Sequence, residues 1–353
     1  MKYLMIALTS LFFISCDEEV SREDLLPDAS GEHGKILLVI EEGLWETSLQ
    51  QNLHDQLDQN CKGPYLRPEP LFDYYRTGST EMSHIDKLAR LILKIKIDHD
   101  STYQETAVTV KENYFARGQL FVVIKDSDLN RLNDYIKNDF DFVLDAYNAF
   151  EAEQLTKEFK GDPHKAIDEI SQDNFGISIS LPRTSILKAS SEDFMMVKYE
   201  RSQKQQYQTS GTSGYTYETF WIQEGILFWK EPLDSASYFE PYHIMARRDS
   251  VLKQNVPGDM DGSYMATEYD PYYKPEADKI VVDGQETIVV RGLWKYAGNP
   301  GAFAGGPFVQ YSMINEKTNE IITVCGYVYA PKFSKREYIR QVEAMLSTIE
   351  MVE

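Results

Sequence analysis

Cysteine is scarce in this chain: three in 353 residues, at positions 16, 61 and 325. No pair has C-x-x-C spacing, which excludes thioredoxin-like exchange, and so few cannot form a disulfide scaffold. Cys61 and Cys325 lie in different halves and are expected as buried free thiols. Histidine is sparse too. His33, His54, His84, His99, His164 and His243 never approach metal-ligand spacing, and no H-E-x-x-H occurs. Basic charge is short, with 36 Lys and Arg against 56 Asp and Glu, a net charge of −20. That field repels nucleic acid, and no basic stripe overrides it. No stretch reaches the ~18 apolar residues that mark a membrane-spanning helix.

Catalytic signatures are missing as well. No G-x-S-x-G, dinucleotide fingerprint or phosphate-binding glycine loop occurs. Ser185 and Lys188 match S-x-x-K, but the companion S-D-N and K-T-G are absent. Asp259, Asp261, Gly262 and Ser263 open like a calcium loop, but Asp270 stands where a bidentate Glu belongs. With 56 acids some close carboxylate pairing is inevitable, so pairing by itself indicates no glycosidase. No cofactor and no metal are expected.

What is present begins at the start of the chain. Lys2, the apolar residues 4–14 and the pair Ser15-Cys16 read as a cleavable lipoprotein signal, with Cys16 the lipidated first residue of the mature protein. Stable anchoring takes two or more acyl chains, which bacterial lipoproteins carry. Asp17, Glu18 and Glu19 open an acidic tether. The expected arrangement is a signal peptide at 1–15, a tether at 16–33, an N-terminal domain at 34–175 and a C-terminal domain at 176–353. The expected location is the outer membrane, facing the periplasm or the cell surface.

Both domains read as α+β, with largely antiparallel sheets flanked by helices. Residues 35–40 form a buried-strand pattern, and Trp45, Leu49, Leu53 and Leu57 recur on one helical face. A long helix is expected over 127–159, capped by Ser127 and bent at Asn138-Asp139. Another should start at Asp162-Pro163. The polar residues 201–214 read as a mobile hairpin loop. Strands are expected near 278–283, 286–296, 307–315 and 320–330. A closing helix from Lys335 is expected to be capped by a Ser334/Glu337 capping box. The second half resembles a Mog1/PsbP-type sandwich in layout, a likeness that carries no activity.

Several runs then stand out: Arg291-Gly292-Leu293-Trp294, Gly305-Gly306-Pro307-Phe308, and residues 326–331 leading into Lys335-Arg336-Glu337-Tyr338 and Gln341-Val342-Glu343. With residues 26–31, Pro70-Leu71-Phe72 and Gly262-Ser263-Tyr264-Met265, this succession resembles a Bacteroidota lipoprotein family catalogued as domain of unknown function 4837. The resemblance implies a lipoprotein signal and this architecture, and it carries no catalytic residues.

Functional expectations rest on surface chemistry. Arg291, Trp294, Gly305, Gly306 and Phe308 are candidates for a groove, although Trp294 and Phe308 also have the size of core anchors. Residues 199–273 hold ten tyrosines, so Tyr215, Tyr217 and Trp221 are candidates for a contact face. The leading expectation is a non-enzymatic binding or adaptor protein held to the membrane through its lipid. Its partner would be an envelope protein or a glycan, not nucleic acid. The alternatives are an envelope hydrolase acting on glycan or peptide, and a surface glycan-binding module.

Overall fold

The computed structural model describes residues 22–63, 67–78, 81–208 and 214–352. The signal, Cys16 and the start of the tether lie outside the described residues. The chain forms two α+β units.

The N-terminal unit holds β1 (Lys35–Ile40), α1 (Glu42–Trp45), α2 (Ser48–Leu57), β2 (Asp73–Thr77), β3 (Leu91–Ile97), β4 (Ala107–Glu112), β5 (Leu120–Asp126), α3 (Leu129–Asn138) and α4 (Asp141–Gly161). Its sheet runs β2-β1-β3-β5-β4. Across the whole chain the pairings are largely antiparallel, as expected, but here three of four are parallel. The reason is burial. β1 is apolar at nearly every position, so it needs cover on both faces, as parallel strands do. Ile36, Leu38, Leu93 and Val122 face α2, α3 and α4. Leu37, Val39, Ile92 and Phe121 face a smaller cluster roofed by Tyr114 and Phe115.

The long helix expected over 127–159 is two helices, broken at Asp139 and Phe140. Phe140 is buried at the corner. Asp128, not Ser127, caps α3 by accepting from the Arg131 backbone N–H.

The C-terminal unit holds α5 (Lys165–Phe175), β6 (Ile177–Ser178), β7 (Ile186–Ser190), β8 (Phe194–Gln208), β9 (Tyr215–Pro232), α6 (Pro241–Asn255), β10 (Tyr264–Thr267), β11 (Glu276–Val282), β12 (Gln285–Ala297), β13 (Gly305–Asn315), β14 (Glu320–Tyr329), α7 (Arg336–Leu346) and β15 (Glu350–Met351). Eight antiparallel strands run β10-β12-β13-β14-β9-β8-β7, with β11 also pairing β12. β15 pairs β6. One face, through Val309, Tyr311, Val324 and Ile226, packs on α5 and α7. The other, through Leu227, Trp229, Ile288 and Phe308, packs on α6. Ile167 and Phe175 of α5 lie in this C-terminal core, ahead of the expected boundary at 175.

Three local expectations change. His164, not Asp162, caps α5, accepting from the Ile167 backbone N–H. Residues 201–208 are strand rather than loop, since β8 pairs with β9 through Gln208↔Tyr215. Ser334 and Glu337 form no capping box, because α7 is capped from the other unit. The Glu69 carboxylate accepts from the backbone N–H of Lys335 at 2.8 Å and of Arg336 at 2.7 Å.

Candidate functional site

The seam between the units is built by α7. Arg336 donates to the Pro70 carbonyl at 2.9 Å and to Asp73 at 2.7 Å. Arg340, one turn on, donates to the Leu71 carbonyl at 2.6 Å and to Asn148 at 3.1 Å, and it lies over the Phe72 ring. Burial opposes the Arg336 charge, but Asp73 and Glu337 outweigh that and raise its pKa. On the N-terminal side, Glu151 accepts from His33 at 2.7 Å and from the Gly34 backbone N–H at 3.1 Å. Burial by itself would lower the His33 pKa, but Glu151 and Glu158 push it up to about 9.

Beside this seam lies a cleft of about 570 Å³ between α4 and α7, floored by β12 and β13. Arg291, Tyr311 and Glu343 form its polar end, with Arg291 Nε donating to Glu343 Oε1 at 2.7 Å. Burial and the nearby Glu343 raise the Tyr311 hydroxyl to about 12, so it stays protonated at neutral pH. Leu144, Leu155 and Ile339 supply apolar wall. Cys61 also lines the cleft; burial pushes its thiol up to about 11, which disfavours the reactive thiolate.

The residues singled out from sequence fall in three places. Arg291 lines the cleft. Phe308 also borders it, but its ring is buried on the opposite sheet face beneath Arg248. Trp294 is likewise a core anchor, buried with its indole donating to the Val328 carbonyl at 3.0 Å, and it borders a second, open trough. Gly305 and Gly306 permit close strand approach. A Cβ on Gly306 would lie 2.0 Å from the Val328 carbonyl, and one on Gly305 would lie 2.7 Å from that of Trp294. Gly305 also edges that open trough, of about 820 Å³.

Tyr215, Tyr217 and Trp221 lie elsewhere, on the β8–β9 hairpin. β14 pairs only with residues 223–232 of β9, and β7 only with residues 195–198 of β8. The rest projects as a two-stranded ribbon, roughly 27 Å long at ~3.4 Å per residue. The three aromatics share one face by the two-residue alternation of a strand, and each is 61% exposed. Opposite them stand Gln208, Gln206 and Ser202. The far face turns inward at its base, where Phe220 meets Phe333 and Tyr338 donates to Gln203.

Near the ribbon's base Glu224 is buried with Arg201, which also donates to Gln341 at 2.8 Å. Burial dominates and raises the Glu224 carboxyl to about 7. No second carboxylate is hydrogen-bonded to it among the described residues. Cys325 is buried and free, accepting from Arg248 at 2.9 Å. Among the described residues no group of three His, Cys, Asp or Glu could hold a metal ion, and no helix is long and apolar enough to cross a membrane.

Sequence reasoning missed Tyr311, Glu69 and the seam. Arg336 and Glu343 did fall in the runs that carried the family resemblance, the one signal that pointed to this place.

No curated protein matches the chain. Among the solved structures that are similar, three each match across 50% of the chain. LpqN, involved in cell envelope biogenesis of Mycobacterium tuberculosis, matches at 11% identity over 83% of its length, TM-score 0.27. The Saccharomyces cerevisiae Ran-binding protein Mog1p matches at 11% identity over 91%, TM-score 0.31. A Bacteroides thetaiotaomicron protein matches at 13% identity over 46%, TM-score 0.23. Such likenesses carry no chemistry to this chain. Residues 29–160 match the family described as domain of unknown function (DUF8532). Residues 164–348, more than half of the chain, match a second family, and on that match the chain belongs to domain of unknown function (DUF4837).

Proposed function

We propose that this chain is a cell-envelope lipoprotein, held to the outer membrane through lipid on Cys16, that works by binding a protein partner. The β8–β9 ribbon is its contact element. The carrying observation is the exposed face of Tyr215, Tyr217 and Trp221 on a ribbon whose outer edges have no strand partner among the described residues. Exposed strand edges are usually blunted by charge, and unpaired main-chain groups are a ready template for an added strand. Here Lys204 and Glu218 are the only charged residues among 202–208 and 215–221. Exposed tyrosine and tryptophan add rigid contact area with polar tips.

The test is a photocrosslinking residue placed at Tyr217 in cells, with the exposed Phe303, in the loop between β12 and β13, as control. A discrete adduct from position 217 alone is expected. No adduct, or the same adduct from both positions, counts against the ribbon.

A second reading is favoured by the ribbon's side-chain chemistry. Gln206, Gln208 and Ser202 beside three aromatics offer neutral hydrogen-bonding groups next to flat rings, which suits an uncharged glycan. Retardation of the chain in gels containing neutral polysaccharides, lost in Trp221→Ala, would favour it. Trp221→Ala should change stability by no more than about 0.5 kcal/mol, because the side chain is exposed.

A further inference from the structure

The cleft between α4 and α7 is separate from the ribbon, and a tyrosine hydroxyl with no hydrogen-bond partner among the described residues opens into it. Tyr311 is 5% exposed and its ring belongs to the C-terminal core. Its hydroxyl nevertheless borders the cleft and has no hydrogen-bond partner among the described residues. Beside it, Arg291 uses Nε on Glu343, and its only other ionic neighbour among the described residues is Asp278 at 3.8 Å. The outer guanidinium nitrogens and the second Glu343 oxygen therefore remain available on the same side of the cleft.

We propose that this cleft binds a small, uncharged molecule with an apolar body and an amide head. The polar end offers two donors, Tyr311 and Arg291, and one acceptor, Glu343. An amide answers all three: its carbonyl accepts from Tyr311 and Arg291, and its N–H donates to Glu343. A carboxylate fits badly, because Glu343 and Asp278 already balance Arg291 and a second anion would face Glu343. Leu144, Leu155 and Ile339 receive the apolar body, in space left open by the small side chains of Ala149 and Ala152. The volume, about 570 Å³, is that of a small-molecule site.

The test uses the full chain and N-acetyl-L-leucinamide, with the charged N-acetyl-L-leucine as comparison, followed by saturation-transfer and titration NMR. The amide, a ligand of about a dozen heavy atoms, should bind near ~1 mM. The acid should bind at least about tenfold more weakly. Tyr311→Phe should weaken the amide about tenfold without moving the melting temperature. Ala152→Trp fills the void from a position exposed to the cleft, so it should fold and abolish binding. The proposal is overturned by no transfer at about 10 mM amide, by equal binding of the acid, or by full affinity in Ala152→Trp.

Discussion

Glu69 of the N-terminal unit caps a helix of the C-terminal unit, its carboxylate taking the backbone N–H of Arg336 at 2.7 Å. Those two residues are 267 positions apart in the chain. A carboxylate at a helix start satisfies orphan donors and complements the positive end of the helix dipole. Glu69→Ala should therefore lower stability by about 1–2 kcal/mol in urea unfolding. Glu69→Gln, which keeps an acceptor but not the charge, should recover part of that loss. Wild-type stability in Glu69→Ala would mean that the cap contributes nothing.

His33 makes the N-terminal unit sensitive to alkaline pH. Its folded pKa, about 9, lies above the ordinary 6.5 because Glu151 and Glu158 favour the imidazolium despite burial. A raised histidine pKa adds stability that is fully present below about 6.5 and is lost as pH rises through about 9. The melting-temperature gap between the native chain and His33→Gln should be widest near neutrality or below and should shrink toward pH 10. A gap independent of pH would remove His33 from the account.

Glu224 predicts a loss in the same direction but in a lower pH window for the ribbon's base. Its folded pKa, about 7, lies above the usual 4.5 because burial disfavours the carboxylate more than Arg201 favours it. The folded state then holds a proton that the unfolded state gives up, so stability falls as pH rises from about 4.5 to about 7. Glu224→Gln should flatten that part of the stability profile. An unchanged slope would show that the carboxyl titrates normally.

The anchor is tested apart from the fold. Cys16→Ala should leave the signal uncleaved by the lipoprotein peptidase and remove the acyl chains. Fractionation should then show the protein released from outer membranes. Unchanged retention in that fraction would sink the lipid anchor.

Much of the C-terminal sheet was legible in the chain. β11 to β14 are rich in β-branched and aromatic residues and are separated by short turn signals, so their existence, order and approximate limits follow from local pattern. The α3–α4 break was marked by Asn138-Asp139, because turn chemistry is local. The parallel pairing of β1, β2, β3 and β5 was not legible, since an apolar run states burial without stating direction. Residues 201–208 read as loop because glutamine and serine are weak strand formers; cross-strand pairing with β9 overrode that propensity.

By itself the sequence determined the acidic balance, the scattered spacing of histidine and cysteine, the α+β class and the place of Cys16 after an apolar run. These depend on composition and short spacing alone. Tertiary structure decided which unit caps α7, which tryptophan is buried and which exposed, and that Tyr311, Arg291 and Glu343 meet. Trp294 and Trp221 are both strand tryptophans in an aromatic-rich half, and only the presence or absence of a covering layer separates them. That layer is assembled from elements far apart in the chain, and local sequence carries no record of it.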